Sequence, residues 1–235
     1  MDVLYIVIPA YNEEDTIQAV IEQWYPIVEQ AGDKSRLVLI DDGSKDKTYE
    51  IIEKNAKIKK QLVLIKKKNE GHGATILFGY NYALGTNADF IFQTDSDGQT
   101  KPEEFWMFWE MRNQYDMVIG WRKDRQDGIS RVIVTRILRF VIQWRFGVFV
   151  LDANTPFRLM NAVILKQYIK LIPEKFNLSN VLLSVIYEKK KLATKYIPIT
   201  FEKRKGGVNS INMLKIIKIG KQAWDDFKVI NEAIK

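Results

Sequence analysis

Apolar residues in the first half of the chain fall into short runs that alternate with stretches of helical spacing. Val3–Ile8 is an apolar run ended by Pro9. Asp15–Gln30 follows, with Ile17, Val20, Ile21, Trp24 and Val28 spaced to form one face of a helix. Leu37–Ile40, Leu62–Ile65, Phe90–Phe92 and Met117–Ile119 repeat the strand pattern. Between them the spacing predicts helices at about Lys45–Asn55, capped by Ser44 or Asp46, at His72–Leu84, and at Pro102–Arg112 with proline in the first turn. Such alternation predicts an α/β fold, a mostly parallel sheet with helices on both faces.

The second half is less regular. Arg131–Phe146 reads as a helix with Phe140, Ile133, Trp144, Ile137, Val141 and Val134 on one apolar arc. Arg131, Arg136, Arg139 and Arg145 occupy its other half. Asn212–Lys235 reads as a second amphipathic helix. No repeat, low-complexity stretch or Gly/Ser linker interrupts the chain. The expected organisation is one domain over residues 1–210 and a C-terminal amphipathic helix, 211–235, that belongs to the same domain or forms an interface.

Composition narrows the chemistry. The 235 residues include no cysteine, so disulfides, thiolate metal sites and a cysteine nucleophile are excluded, and a reducing compartment is expected. His72 is the single histidine, which excludes a metal site with two histidine ligands, and a Ser-His-Asp triad unless His72 serves in it. No apolar run approaches the length of a membrane span, and the N-terminus has no basic start or cleavage site. These features predict a cytoplasmic protein. The net charge is +7, and Trp121–Gly147 alone carries seven basic against two acidic residues. A surface of that kind attracts nucleic acid, anionic lipid or phosphorylated substrates, or is simply solvated.

Polar clusters follow the predicted strands: Pro9–Glu14, Asp41–Ser44, Asn69–Gly73, Thr94–Gln99 and Gly120–Arg122. Ligands of parallel sheets bind at the carboxyl ends of the strands, so five clusters there predict one ligand cleft. On extended chain Asp95, Asp97 and Gln99 face one side, and two carboxylates with an amide oxygen suit a hard cation, magnesium or manganese. One of Asp41 and Asp42 either caps the next helix or hydrogen-bonds a base or ribose. Gly71-His72-Gly73 opens a helix and can bring backbone N–H groups to phosphate. It matches neither a Walker A loop nor G-x-G-x-x-G, since Ile76 stands where the third glycine is needed.

With those motifs in order, the chain resembles a family 2 glycosyltransferase of the GT-A fold, and within it the polyprenyl-phosphate sugar transferases such as dolichol-phosphate mannose synthase. The resemblance rests on Val7–Glu14, Asp41–Thr48, Asn69–Ala74, Asp95–Gln99, Gly120–Arg122, Asp152–Leu159 and Arg204–Ser210. It implies that Pro9, Tyr11, Glu13, Ile40 and Asp42 hold the nucleoside of a GDP- or UDP-linked sugar. Asp95, Asp97 and Gln99 would bind Mg2+ or Mn2+, with Asp95 and Ser96 near the nucleotide. Arg122 and Arg204 would contact phosphates, and Arg131 the acceptor phosphate.

Transfer with inversion to a polyprenyl phosphate is the leading expectation. A lipid phosphate is already anionic and needs no strong base. A hydroxyl of a surface polysaccharide or glycolipid is the alternative acceptor, and it would need one, for which Asp152 is the candidate. Expected partners are the nucleotide sugar, the lipid or glycan acceptor, an anionic membrane surface touched peripherally on its cytoplasmic face, and possible further copies of the chain. Nucleic acid is not expected, and a non-catalytic basic module for RNA or membrane is the remote alternative. Many relatives carry Ser-Gly-Phe-Arg where this chain has Thr155-Pro156-Phe157-Arg158, and a glutamate near Phe176–Val181 where it has Ser179 and Asn180. Those departures fall on the sugar and acceptor side.

Overall fold

The apolar runs of the inner strands are continuous because those strands are buried on both faces. The computed structural model describes residues 2–122, 129–202 and 227, with the backbone alone over 129–135. Among these residues one sheet holds β1 (Leu4–Ala10), β2 (Arg36–Asp41), β3 (Leu62–Lys66), β4 (Phe90–Gln93), β5 (Met117–Arg122), β6 (Arg158–Asn161) and β7 (Thr194–Ile199). The order across it is β3-β2-β1-β4-β6-β5-β7. Every neighbouring pair is parallel except the two that β6 makes.

The helices are α1 (Ile17–Ala31), α2 (Thr48–Ala56), α3 (His72–Gly85), α4 (Phe105–Glu110), α5 (Ile129–Phe146), α6 (Ala162–Tyr168) and α7 (Ser179–Lys189). Alternate strand residues feed two cores. Val7, Val38, Ile40, Ile91, Ile119 and Met160 pack with residues of α3, α5 and α7. Ile6, Ile8, Leu37, Leu39, Phe92 and Leu159 pack with α1 and α4. The predicted face of α1 is the buried one, and Trp24 meets Phe92 there with ring centroids 5.4 Å apart.

Several boundaries differ from expectation for identifiable reasons. β1 runs through Pro9 to Ala10. Its partner β4 stops opposite Val7, so the N–H that Pro9 lacks has no carbonyl to meet. α2 starts at Thr48 rather than Lys45. Lys45 instead donates its N–H to Asn12 Oδ1, and Asp46 Oδ1, not Ser44, accepts from Thr48 N–H at 3.0 Å. Pro102–Glu104 forms a 3-10 turn ahead of the short α4. β6, β7, α6 and α7 were not foreseen. Residues 211–235 lie outside the described residues except Phe227, which is buried with its ring 5.1 Å from Phe146.

Two features set the rim where the strands end. The strand order reverses between β1 and β4, the switch point at which open sheets bind ligands. β6 runs antiparallel, so its first residue, Arg158, lies opposite Gln93 and Ile119 near the carboxyl ends of β4 and β5. The loop that precedes β6 is thereby carried onto that rim.

Helix α3 meets the residues before α7 at very short range. A Cβ on Gly73 would lie 2.2 Å from the Phe176 carbonyl oxygen, whereas one on Gly85 would meet nothing. Gly73→Ala should cost about 1–3 kcal/mol through overpacking, and Gly85→Ala should add up to about 1 kcal/mol by limiting the unfolded chain. Denaturant unfolding of the two variants checks this. Equal effects would contradict the close approach.

Candidate active site

The loops after β1 and β2 are laced together. Asn12 N–H donates to Ser44 Oγ at 3.0 Å and Lys45 N–H returns to Asn12 Oδ1 at 2.8 Å. Glu14 N–H donates to Asp46 Oδ2 at 3.1 Å and Lys47 N–H to Glu14 Oε2 at 3.0 Å. Glu13 N–H donates to Thr48 Oγ1 at 2.8 Å. At about 1 kcal/mol net for each, these bonds make two loops into one platform. Pro9 and Ile40, both buried, are register partners beneath it. Tyr11 stays 39% exposed, an aromatic face at the end of β1.

Asp41 and Asp42 divide their work. Asp41 Oδ1 accepts from Ser44 N–H at 3.3 Å, closing the turn, and its Oδ2 is buried with no hydrogen-bond partner. Asp42 Oδ1 accepts from Lys67 Nζ at 2.8 Å and Glu70 N–H at 3.1 Å, and its Oδ2 from Gly71 N–H at 3.0 Å. Neither caps α2. Asp42 instead fixes the loop after β3 and so the start of α3. Lys67 was missed in the sequence because it sits in a lysine run that reads as a solvated face. Burial pushes its pKa down, but the Asp42 and Glu70 carboxylates outweigh burial and hold the ammonium above its ordinary 10.5.

The loop after β4 crosses the switch point. Ser96 Oγ donates to Pro9 O at 2.8 Å, and Ser96 O accepts from Thr16 Oγ1 at 2.9 Å. This brings Asp95 and Asp97 beside the β1 platform. Asp95 Oδ1 is buried without a hydrogen bond, 3.6 Å from Nε2 of His72 at the first position of α3. Asp97 Oδ1 accepts from Gln99 N–H at 3.1 Å. Gln99 donates Nε2 to Glu202 O at 2.7 Å, which leaves its amide oxygen as the acceptor it can offer a cation. No group of three or more His, Asp or Glu suited to a metal occurs among the described residues. Two carboxylates and one amide oxygen, with the Asp95 oxygen accepting no hydrogen bond, would suit a hard cation.

At the far side of the rim Arg122 and Asp152 form a two-pronged pair. Arg122 Nε lies 2.9 Å from Asp152 Oδ2 and Nη2 2.8 Å from Oδ1, with both side chains nearly buried. Asp152 therefore stands as the partner of the candidate phosphate arginine. Arg131 belongs to α5, of which only the backbone is described at that point, and Arg204 lies outside the described residues. Arg158 was not singled out in the sequence; it is wholly buried beneath the Asp152 loop. Further along α5, Ile137, Phe140 and Trp144 are 57%, 70% and 63% exposed. No helix among the described residues is long and apolar enough to cross a membrane.

A mostly parallel sheet with acidic groups and an arginine gathered at its switch-point rim is the arrangement of a GT-A transferase. The sequence model described as glycosyl transferase family 2 matches residues 5–168, more than half of the chain, and the chain belongs to that family. An undecaprenyl-phosphate 4-deoxy-4-formamido-L-arabinose transferase of Edwardsiella ictaluri is 27% identical over 217 residues, covering 91% of this chain and 64% of the relative. The same-named protein of Aeromonas hydrophila is 32% identical over 150 residues, 63% of this chain and 45% of the relative. The chain thus spans less than two-thirds of the length of these curated relatives. Among solved structures, glucosyl-3-phosphoglycerate synthase of Mycobacterium tuberculosis with Mn2+, UDP and phosphoglyceric acid superposes with a TM-score of 0.72 at 16% identity, covering 98% of this chain and 78% of that one. The likeness bears out the GT-A α/β fold.

The Asp42–Lys67 pair gives the platform a testable signature. Asp42→Asn should cost about 1–3 kcal/mol at neutral pH, because it leaves a nearly buried ammonium to the more exposed Glu70 carboxylate. Since the folded pKa of Lys67 is raised, that contribution is complete below 10.5 and fades as pH rises through the folded value. The gap between the unfolding free energies of wild type and variant should narrow as pH rises from 7 to 11.5. A constant gap would contradict the pair.

Proposed function

We propose that the protein transfers a sugar from a nucleoside-diphosphate sugar to a polyprenyl phosphate, such as undecaprenyl or dolichyl phosphate, with inversion at the anomeric carbon. The observation that carries this reading is the Asp95–Gln99 loop, tied by Ser96 to Pro9 at the strand reversal, with a buried Asp95 oxygen that accepts no hydrogen bond. The names of the curated relatives support a polyprenyl-phosphate acceptor, and the solved neighbours crystallised with Mn2+ and UDP-glucose support the donor class.

Each residue then has a task. Tyr11 offers its exposed ring to the base, with Pro9, Ile40, Glu13 and Asp42 shaping the nucleoside seat below. Asp95, Asp97 and Gln99 would hold Mg2+ or Mn2+, whose positive charge offsets the charge developing on the departing diphosphate. Arg122, held by Asp152, presents its guanidinium to a phosphate, and Arg204 adds a second cation. Arg131 meets the acceptor phosphate. An acceptor phosphate oxygen attacks the anomeric carbon from the face opposite the diphosphate. The new C–O bond forms as the sugar–diphosphate bond breaks, and the electron pair leaves with the nucleoside diphosphate. No proton has to be removed from the acceptor. That agrees with Asp152 spending both oxygens on Arg122 rather than standing open as a base.

The exposed Ile137, Phe140 and Trp144 on α5, beside exposed Arg136, suit a helix lying in the interface of an anionic membrane. A lipid acceptor would then reach the rim from that surface.

Transfer of labelled sugar from UDP- and GDP-sugars into solvent-extractable polyprenyl phosphate, with Mg2+ or Mn2+, tests the proposal. Label should enter lipid and fall at least about 100-fold in Asp97→Ala. Label appearing only in free sugar or a glycan would remove the lipid-phosphate acceptor.

A further inference from the structure

Arg158 opens β6 with none of its side chain exposed, and its hydrogen bonds all go to neutral oxygens. Nε donates to Thr155 O at 3.1 Å. Nη1 donates to Asn180 O at 3.1 Å and Ser184 Oγ at 3.4 Å. Nη2 donates to Ala153 O at 3.2 Å and Thr155 O at 2.6 Å. Burial pushes its pKa below the ordinary arginine value, the nearby Tyr80, Tyr196 and Asp152 working the other way. A buried guanidinium is costly when no carboxylate pairs with it. Its charge therefore gives no reason for an arginine here.

The oxygens it gathers do. Asn180 and Ser184 belong to the first turns of α7, and Ala153 and Thr155 follow directly on Asp152. On the other flank Arg139 donates Nη2 to Leu151 O at 2.6 Å. Alternate carbonyls of the segment, at 151, 153 and 155, are thus held by guanidinium groups. Between them Asp152 turns its carboxylate to Arg122, which donates both its side-chain Nε–H and its backbone N–H to Oδ2.

We propose that Arg158 is a positioning residue for Arg122: it clamps the 153–155 backbone to α7 so that Asp152 holds the Arg122 guanidinium in one place on the rim. Arg158 does not touch substrate. The clamp depends on the planar fork of donors, which spans three carbonyls, and not on charge alone. A lysine in its place keeps the charge and cannot make the span. The consequence for catalysis rests on the reading of Arg122 as a phosphate contact; the clamp itself does not.

The test uses the full chain with Arg158→Met and Arg158→Lys, first without ligand. The Nε–H signals of arginine are followed by 15N NMR, with Arg122 assigned through Arg122→Lys. In the wild type the Arg122 Nε–H, bonded to a nearly buried carboxylate, should exchange slowly with water. Both Arg158 variants should lose at least about tenfold of that protection. The Nε–H of Arg112, paired with Asp2 outside this rim, should not change in either variant. Unchanged Arg122 protection in Arg158→Lys overturns the proposal whatever the activity, and that variant decides the matter if Arg158→Met fails to fold.

The second measurement is turnover of the donor sugar. Arg158→Met should lower kcat about 100-fold with little change in donor KM, as a misplaced positioning group does. Arg158→Met added to Asp152→Asn should lower kcat no further than Asp152→Asn alone. Multiplying effects would make Arg158 merely structural and overturn the proposal. A wild type that binds neither UDP nor GDP with Mn2+ would defeat the phosphate reading of Arg122, while the exchange measurement would still decide the clamp.

Discussion

The reversal of strand order between β1 and β4 is the constraint on which the rim depends. It leaves the carboxyl ends of two adjacent strands opening onto a crevice that no crossover covers. Loops leaving those strands have no ladder to pair their backbone groups, and unpaired polar groups are costly when buried. Side chains supply the partners: Ser96 for Pro9 O, Thr16 for Ser96 O, Asp42 for the N–H groups of Glu70 and Gly71. Most polar residues of the motifs are therefore spent on one another. Tyr11 remains exposed, and Asp41 and Asp95 each keep a buried oxygen that accepts no hydrogen bond.

Buried charge does the finer positioning. Asp42 with Lys67 holds the start of α3, and Asp152 with Arg122 holds a guanidinium on the opposite flank. Each pair gives up hydration worth several kcal/mol per ion and recovers it only with good geometry. Such pairs resist small displacements, because a shift of either partner leaves a charge uncompensated. Rigid placement of charge is what a transferase needs if its residues are to meet a developing diphosphate without reorganising.

The first half of the fold was legible because its inner strands are buried on both faces and read as unbroken apolar runs. The helices between them show one apolar face. β6 and β7 were not legible. Arg158-Leu-Met-Asn161 is too short and opens on a charge, and Thr194–Ile199 carries Lys195 and Pro198 as edge strands do. α7 is buried along Ser179–Tyr187 and shows no polar face to give a period. At the site, motif order exposed the loops but not their internal division of labour. The string places Asp41 and Asp42 side by side, and only the fold sends one into its own turn and the other to Lys67. Asp152 read as a possible base because its partner stands thirty residues away in sequence. Arg158 stood inside a motif, but nothing there marked its part, since burial without an acid partner is a property of the packed molecule.

The central claim is that the rim binds a nucleoside diphosphate through a cation held at Asp95, Asp97 and Gln99. Equilibrium titration of UDP and GDP against the wild type and Asp95→Ala, each with Mn2+ and with chelator, tests it most directly. The account predicts binding of at least one nucleotide with Mn2+, weakened about tenfold or more by chelator or by Asp95→Ala. Equal affinity in all conditions, or no binding of either nucleotide, would contradict it.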